Sequence, residues 1–542
     1  MKSDRVRINV PRIFRPLAAA LAVLISFAGP HSALAESNET TASSPNAHIQ
    51  SSIALGFKFS CGLLDSGRVK CWGANDSSQL GNGGTTDSTT PVDVKDSAGT
   101  GTLSGVTAIT AGGDHTCALL IGGTIKCWGY NGSGELGDGT TGGNTHSRAI
   151  PVDVKGTGGT GTLSEVTAIT AGYNHTCALL TGGTIKCWGY NGNGHLGDGG
   201  TTDSATPIDV LVAVGGAPLS GVTAISAGGD HTCALLTGGT VKCWGYNSNG
   251  ELGDGSNTDR SIPVDVKDSA GTGTLSGVAT ITTGRSHTCV LLTGGTVKCW
   301  GYNSQGQLGD GTHSGNALLS NVPVDVLVAL GGAPLSGVTA LTGGQLHTCV
   351  LLTGGAVKCW GEDGNGQLGN GSGEGSYLPD DVKNSAGTGT LSGVTAITAG
   401  GDHTCVVLTG GSVECWGLNG NGQLGNGTSA TGVIPVDVLV AVAGVPLTVV
   451  GVTTTTSSTS SSSSTSSSTP TTVGAVPTTA TPAVTTTSAT TITTSTTTTA
   501  VVTAKKASKL PATGSDSSTL ALVGGILFTG GMVFVMRRRT AN

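Results

Sequence analysis

One stretch decides most of what this chain can fold into: His175-Thr-Cys-Ala-Leu-Leu-Thr-Gly-Gly-Thr-Ile-Lys-Cys-Trp188. Two short alternating runs joined by Gly-Gly read as strand, turn, strand. The pattern recurs seven times, with cysteine pairs Cys61/Cys71, Cys117/Cys127, Cys177/Cys187, Cys233/Cys243, Cys289/Cys299, Cys349/Cys359 and Cys405/Cys415, which use all 14 cysteines. Each second cysteine precedes a tryptophan (Trp72, Trp128, Trp188, Trp244, Trp300, Trp360, Trp416), and these are all 7 tryptophans. A motif that uses every cysteine and tryptophan is the scaffold itself. Glycine-rich chains with few aromatics can be disordered, but here the 92 glycines recur at fixed repeat positions and read as turns.

The first cysteines fall at 61, 117, 177, 233, 289, 349 and 405, a period of 56 or 60. That is slightly longer than the roughly 40–50 residues of known propeller blades. In the third repeat, strands are expected over Val166–Ala171, Thr176–Leu180, Thr184–Trp188 and Pro207–Val210. Pro207 would open the last strand, where it costs no ladder bond. The expected fold is all-β: a single seven-bladed β-propeller of four-stranded antiparallel blades over residues 48–447. Blade-on-blade packing lets such a fold exceed the usual single-core size. After strand four, blades 3, 5 and 7 continue with apolar segments (Leu211-Val-Ala-Val, Leu327-Val-Ala-Leu, Leu439-Val-Ala-Val), read as a longer strand or local packing, with a docking patch as the alternative.

The ends read as processing signals. Basic Lys2, Arg5, Arg7, Arg12 and Arg15, apolar Leu17 to Ala28 and Ala33-Leu34-Ala35 make residues 1–35 a secretory signal peptide. Residues 36–47 form a flexible lead-in, and the Thr/Ser-rich 448–509 a disordered stalk that cannot bury a core. Its 453–509 part could reach at most roughly 190–205 Å. Residues 510–542 hold Leu510, Pro511, Ala512, Thr513 and Gly514, then apolar Leu520 to Met536 and Arg537-Arg538-Arg539. This order resembles the LPxTG sorting signal of Gram-positive cell-wall proteins. The resemblance implies a sortase that cuts after Thr513 and joins it to peptidoglycan, so that the membrane is met only transiently. The rival is a C-terminal membrane anchor with a transmembrane helix. The expected location is the cell wall of a Gram-positive bacterium.

Without residues 1–35 and 514–542 the chain keeps 18 basic and 31 acidic residues, a net of −13. Nucleic-acid binding needs a basic footprint, so that class is excluded.

The repeat also carries Gly172, His175, Leu179, Gly183, Ile185, Trp188, Gly189, Asn191, Gly194, Leu196, Gly197 and Gly199. This resembles the regulator of chromosome condensation family of seven-bladed propellers, across all seven repeats. Blade 1 departs, with Phe59 in place of histidine, so its ring closure is expected to differ in detail. The family's name-giver is a nucleotide-exchange factor for a nuclear GTPase, a partner that a secreted, acidic chain does not meet. The chain is also similar to a secreted beta-lactamase inhibitor propeller, which implies protein binding through loops at one end.

Secretion favours disulfides, and the repeat allows one symmetric pairing, within each blade. If the Gly-Gly turn carries three loop residues, Cys177 and Cys187 oppose each other within bonding reach. Zinc on His175, Cys177 and Cys187 is the rival, with spacing unlike the usual close pair; free thiols are the third reading. His115, His175, His231, His287, His347 and His403 share one repeat position and read as core residues bonded to neighbouring backbone. Asp114, Asp230 and Asp402 precede three of them. A catalytic constellation should single out one place, so no enzyme activity, catalytic residue, metal or cofactor is expected. Asp138, Asp198, Asp254 and Asp310 in Gly-Asp-Gly read as turn residues, since calcium needs more converging oxygens.

A binding face is expected where the strand one–two and three–four loops share an end. Its candidates are Phe57, Lys58, Tyr130, Tyr173, Asn174, Tyr190, Tyr246, Arg285, Tyr302, Gln345 and Leu346, with His146, Arg148, Leu318 and Leu319 from the four-residue insertions of blades 2 and 5. Tyr and Arg dominate binding energies. The alternative is that the tyrosines pack on neighbouring blades. The leading function is a wall-anchored module for adhesion or for capture of a protein or glycan; the alternatives are a structural surface repeat without a specific ligand and an enzyme inhibitor.

Overall fold

The computed structural model describes residues 52–141, 147–313, 318–439 and 447–449. The expected signal peptide and lead-in, the expected stalk from 450 on, the sorting signal, His146 and Val440 to Val442 of the blade 7 apolar segment lie outside the described residues. Seven four-stranded antiparallel sheets follow one another, each built from four consecutive strands. Blade 1 runs from Ile53 to Asp93 and blade 7 from Val394 to Asp437.

Blade 3 shows the unit. Its strands are Val166–Ala171, His175–Leu180, Ile185–Gly189 and Ser204–Asp209. Leu180 N–H donates to Thr184 C=O at 2.9 Å, closing the turn over Thr181, Gly182 and Gly183. Gly182 (φ 96) and Gly183 (φ 78) take the left-handed conformations that such a turn needs. The turn sets Cys177 opposite Cys187, with Cα atoms 4.1 Å apart, and the two form a disulfide.

The same register and the same bond recur in every blade. Cys61 is joined to Cys71, Cys117 to Cys127, Cys233 to Cys243, Cys289 to Cys299, Cys349 to Cys359 and Cys405 to Cys415. All 14 cysteines are therefore paired within their own blades, and none is free. Metal ligation by cysteine needs a thiolate, which a sulfur already bonded to sulfur does not offer. The zinc reading of His175, Cys177 and Cys187 thus gives way to the disulfide, as does the free-thiol reading.

The fourth strand corrects the sequence reading. It starts at Ser204, so Pro207 lies inside it, not at its head. The register slips between Cys187 and Gly189 as a bulge, and the strand is the sheet edge, which is where proline is tolerated.

Blades are joined by one repeated junction. Trp188 is fully buried, and its Nε1–H donates at 2.8 Å to the C=O of Glu135 in the strand three–four loop of blade 2. Thr176 Oγ1 donates to the same carbonyl at 2.9 Å and sits 2.8 Å from His115 Nε2. The hydroxyl has one proton and gives it to the carbonyl, so His115 is the Nε2–H tautomer and donates. The junction recurs around the ring and ends with His403 on Ser60 and Trp72 on the Gln423 carbonyl. The six histidines thus bond the side-chain hydroxyl of the next blade, not backbone as the sequence suggested.

Closure differs from the other junctions. Each later blade opens on an apolar residue, such as Val106, whose N–H donates to Gly67 C=O in the preceding Gly-Gly-type turn. Strand one of blade 1 starts only at Ile53. Val449, from just beyond blade 7, supplies the missing residue: its N–H donates to Gly411 C=O at 2.9 Å, and Leu447 N–H donates to Val438 C=O at 2.8 Å. Both side chains are 1% exposed and pack with Ile53, Leu55 and Trp72. Gly62, where blade 2 has Ala118, leaves the room: a Cβ there would lie 3.1 Å from Val449.

Candidate functional site

Strand one of every blade lines the central channel, and its last residues with the following turn surround a cavity of about 130 Å³. The third residue contributed by each blade is Phe57, Gly113, Tyr173, Gly229, Arg285, Gln345 or Gly401. Backbone bonds link these turns in a circle. Phe57 N–H donates to Gly113 C=O (3.1 Å), Gly113 to Tyr173 (3.0 Å), Tyr173 to Gly228 (3.1 Å), Gly229 to Arg285 (3.1 Å), Arg285 to Gly344 (3.1 Å), Gln345 to Gly401 (3.0 Å) and Gly401 to Gly56 (3.1 Å).

On this uniform hoop the side chains are unequal. A Cβ on Gly113, Gly229 or Gly401 would run into Tyr173, Arg285 or Phe57 of the next blade, so each large residue occupies the space its neighbour's glycine leaves. Phe57 meets the Tyr173 ring edge-on at 5.7 Å, and Arg285 Cζ lies 5.6 Å from the Tyr173 centroid. Lys58 Nζ stands 5.5 Å from the Phe57 ring. Gln345 Oε1 is buried and has no hydrogen-bond partner among the described residues. The mouth thus joins two aromatics, a guanidinium and an amide, and Tyr and Arg are among the residue types enriched where binding energy concentrates.

Around the mouth runs an outer ring. The N–H groups of Tyr130, Tyr190, Tyr246 and Tyr302 donate at 2.8 Å to the carbonyls of Asp114, Asn174, Asp230 and Ser286 in their own blades' turns. Carboxylates line this ring. Burial pushes Asp114 up, with the charge of Asp76 adding and Lys58 opposing. Burial also pushes Asp402 up, against Arg285 and Lys58. At Asp230 burial acts upward, but His195 and Arg285 together outweigh it and hold the carboxyl below its ordinary range; His195 Nε2 is 3.6 Å from Asp230 Oδ1.

The profile of the RCC1-like domain matches residues 28–374 and 98–464, spanning the blades just described. The chain belongs to the RCC1-like domain family. The ultraviolet-B receptor UVR8 of Arabidopsis thaliana is 30% identical over 386 residues, 70% of this chain and 79% of UVR8. The probable E3 ubiquitin-protein ligase HERC4 of Homo sapiens is 32% identical over 219 residues, which are 40% of this chain but 19% of HERC4. Among solved structures, yeast RCC1 (Prp20) in complex with Kap60 superposes with a TM-score of 0.57 at 18% identity, covering 76% of this chain and 91% of RCC1, a likeness of fold. Human WBSCR16 gives a TM-score of 0.53 at 25% identity, over 67% and 88%. The LPXTG cell wall anchor motif matches residues 502–540.

In this RCC1-like propeller Phe57, Lys58, Tyr173, Arg285 and Gln345 meet at the mouth, while Asn174 and Leu346 stand beside them in the same turns. The tyrosines of the outer ring are less available than their sequence positions suggest. Tyr130 is 42% exposed, and the other three are partly buried. Tyr130 and Tyr190 fold back over Gly132 and Gly192 of their own loops. Arg148 is held by Asp138 at 3.0 Å, and Leu318 is exposed. Asp198 Oδ1 accepts bonds from Asn191 and Gly200, as a turn residue does. The apolar segments of blades 3 and 5 are not core. Leu211 pairs with Pro218 and Leu327 with Pro334 as small hairpins past strand four, leaving Val212 (50%), Val214 (72%), Val328 (53%) and Leu330 (74%) exposed. The sequence reading missed His195 and the unpartnered Gln345. His195 was legible as the one histidine at a repeat position held elsewhere by Gln or Glu.

Proposed function

We propose that this RCC1-like propeller is a cell-wall-displayed binding module that takes a protein or glycan at its channel mouth. The carrying observation is the break in symmetry there: the junctions repeat from blade to blade, while the mouth brings Phe57, Tyr173, Arg285 and Gln345 together on four blades. A spacer needs no such difference. The cavity, about 130 Å³, admits one side chain or sugar substituent, not a whole ligand of the usual 300–1,000 Å³ pocket. The ligand therefore lies across the end of the ring with one group inserted.

The test begins with capture from host and bacterial extracts on the full chain. A ligand of the mouth should be lost, with affinity lowered at least about tenfold, by Tyr173→Ala combined with Arg285→Ala. Val214→Ser with Leu330→Ser should leave it unchanged. The reverse pattern would place binding on the exposed hairpins and favour a self-associating surface protein.

Display is tested separately. The anchor motif at 502–540 supports covalent attachment to the wall of a Gram-positive cell. Thr513→Ala keeps the backbone carbonyl but removes the threonine side chain that the Leu-Pro-x-Thr-Gly motif requires, so a sortase should no longer cut there and the chain should vanish from wall digests and appear in membrane or medium fractions. Undiminished wall linkage in that variant would refute the attachment chemistry.

A further inference from the structure

Six blades share an ion pair that the seventh reverses. The residue before the second cysteine is lysine in blades 1–6, opposite the last aspartate of strand four, as Lys186 opposite Asp209. Their Nζ–Oδ1 distances are 2.6–2.9 Å: Lys70–Asp93, Lys126–Asp153, Lys186–Asp209, Lys242–Asp265, Lys298–Asp325 and Lys358–Asp381. In blade 7 Glu414 stands in register opposite Asp437. Glu414 is 6% exposed, and its Oε2 is buried with no partner among the described residues. Asp437 has no cationic partner among them either. Ser385, on the connection leaving blade 6, stands beside the Glu414 carboxyl. The equivalent Ser269 of blade 4 accepts a bond from the ammonium of Lys298 at 2.9 Å.

The repeat therefore shows a cation at this point in six blades, on an aspartate and, in blade 5, on the serine too. Blade 7 keeps the aspartate and serine and replaces the cation with a second carboxylate. From this we infer that Glu414, Asp437 and Ser385 form a binding site for a hard divalent cation, of which calcium is the fitting one. Two facing carboxylates carry two charges, which a divalent ion neutralises and an ammonium does not. They offer up to four oxygens with a hydroxyl beside them, and water completes the six to eight that calcium takes. Asp437 is exposed, so the ion has a direct way in. A site this open belongs with extracellular modules of about 10⁻⁴–10⁻³ M affinity. It lies on strands three and four of blade 7, apart from the channel mouth, and does not rest on the proposed binding function.

Thermal unfolding of the full chain reads the site, in EDTA or in about 5 mM calcium or magnesium chloride at matched ionic strength. Calcium should raise the midpoint by about 2–4 °C, and magnesium by less. Glu414→Lys restores the sister-blade pair, so it should fold, unfold no lower than the wild type in EDTA, and lose the calcium response. Asp437→Asn should lose the response as well. No calcium shift in the wild type would overturn the site and leave a protonated acid pair in its place. A shift that survives in Glu414→Lys would equally overturn it. Protection by Nα-acetyl-lysine amide but not by calcium would make this an ammonium site and refute the calcium assignment.

Discussion

Between about pH 7 and pH 5 the protein is expected to lose folding stability. Burial holds the junction histidines neutral: His115 and His287 are pushed down to about 4, His231, His347 and His403 to about 3, and His175 well below its ordinary value. The unfolded chain binds those protons near 6.5. With folded values depressed, the contribution is fully present above 6.5 and is lost as pH falls toward 3–4. At pH 5 this amounts to about 2 kcal/mol per histidine. Seven carboxyls act in the opposite sense. Burial raises Glu135 and Glu251 to about 7 and Asp363 to about 6, and lifts Asp114, Glu362, Asp402 and Glu414 above their ordinary range, so their contribution is present below their unfolded values and fades as pH rises through their folded values. The histidine shifts are the larger, so acidification lowers stability on balance. Urea midpoints at several pH values check this. Glu135→Gln with Glu251→Gln installs the side chain of the sister blades. It should stabilise the protein above pH 7 and steepen the acid loss. A midpoint that stays level from pH 7 to pH 5 would show that the folded protein protonates these rings, contrary to their burial.

The second large effect concerns closure. Leu447→Ala should cost about 2–5 kcal/mol, as for a fully buried leucine elsewhere, with more from Val449→Ala. The location of the damage is the diagnostic. Hydrogen exchange should quicken first in Ile53–Leu55 and in the blade 7 strands, because the ring opens at its non-covalent seam. Leu219→Ala, at the junction of blades 3 and 4, removes a comparable buried side chain but should leave the pattern of protection even. Equal exchange profiles for the two variants would mean that the ring closes by some contact other than Leu447–Val449.

The hairpin at the centre of each blade was legible because its chemistry is local: two cysteines ten apart across a Gly-Gly turn can oppose each other in few ways. Strand four was misplaced because proline suggested a boundary, whereas an edge bulge absorbs Pro207. Closure was not legible. Leu447 and Val449 stand one residue closer together than Leu103 and Val106, so the repeat is out of step where it completes itself. The mouth was legible as a set of unlike residues at one repeat position. Which of them met required the hoop and the vacant space over Gly113, Gly229 and Gly401. Glu414 was visible as a departure from lysine, but only the strand register sets it against Asp437.

The position of Val449 has a mechanical consequence. It is bound beside the Gly-Gly turn of blade 7, at the end of the ring remote from the mouth. On the proposed function, load enters at the mouth, while the sequence runs on from Val449 toward the anchor motif at 502–540, so the opposing pull is delivered to the propeller at Val449. That tension reaches the closing segment before any blade, and the segment is held by short-range bonds and two apolar side chains. Once it peels away, the blades can separate, but each disulfide keeps its central hairpin from unravelling to full length. Under shear the molecule should thus yield in one early step at the seam and then extend in increments shortened by the Cys–Cys loops.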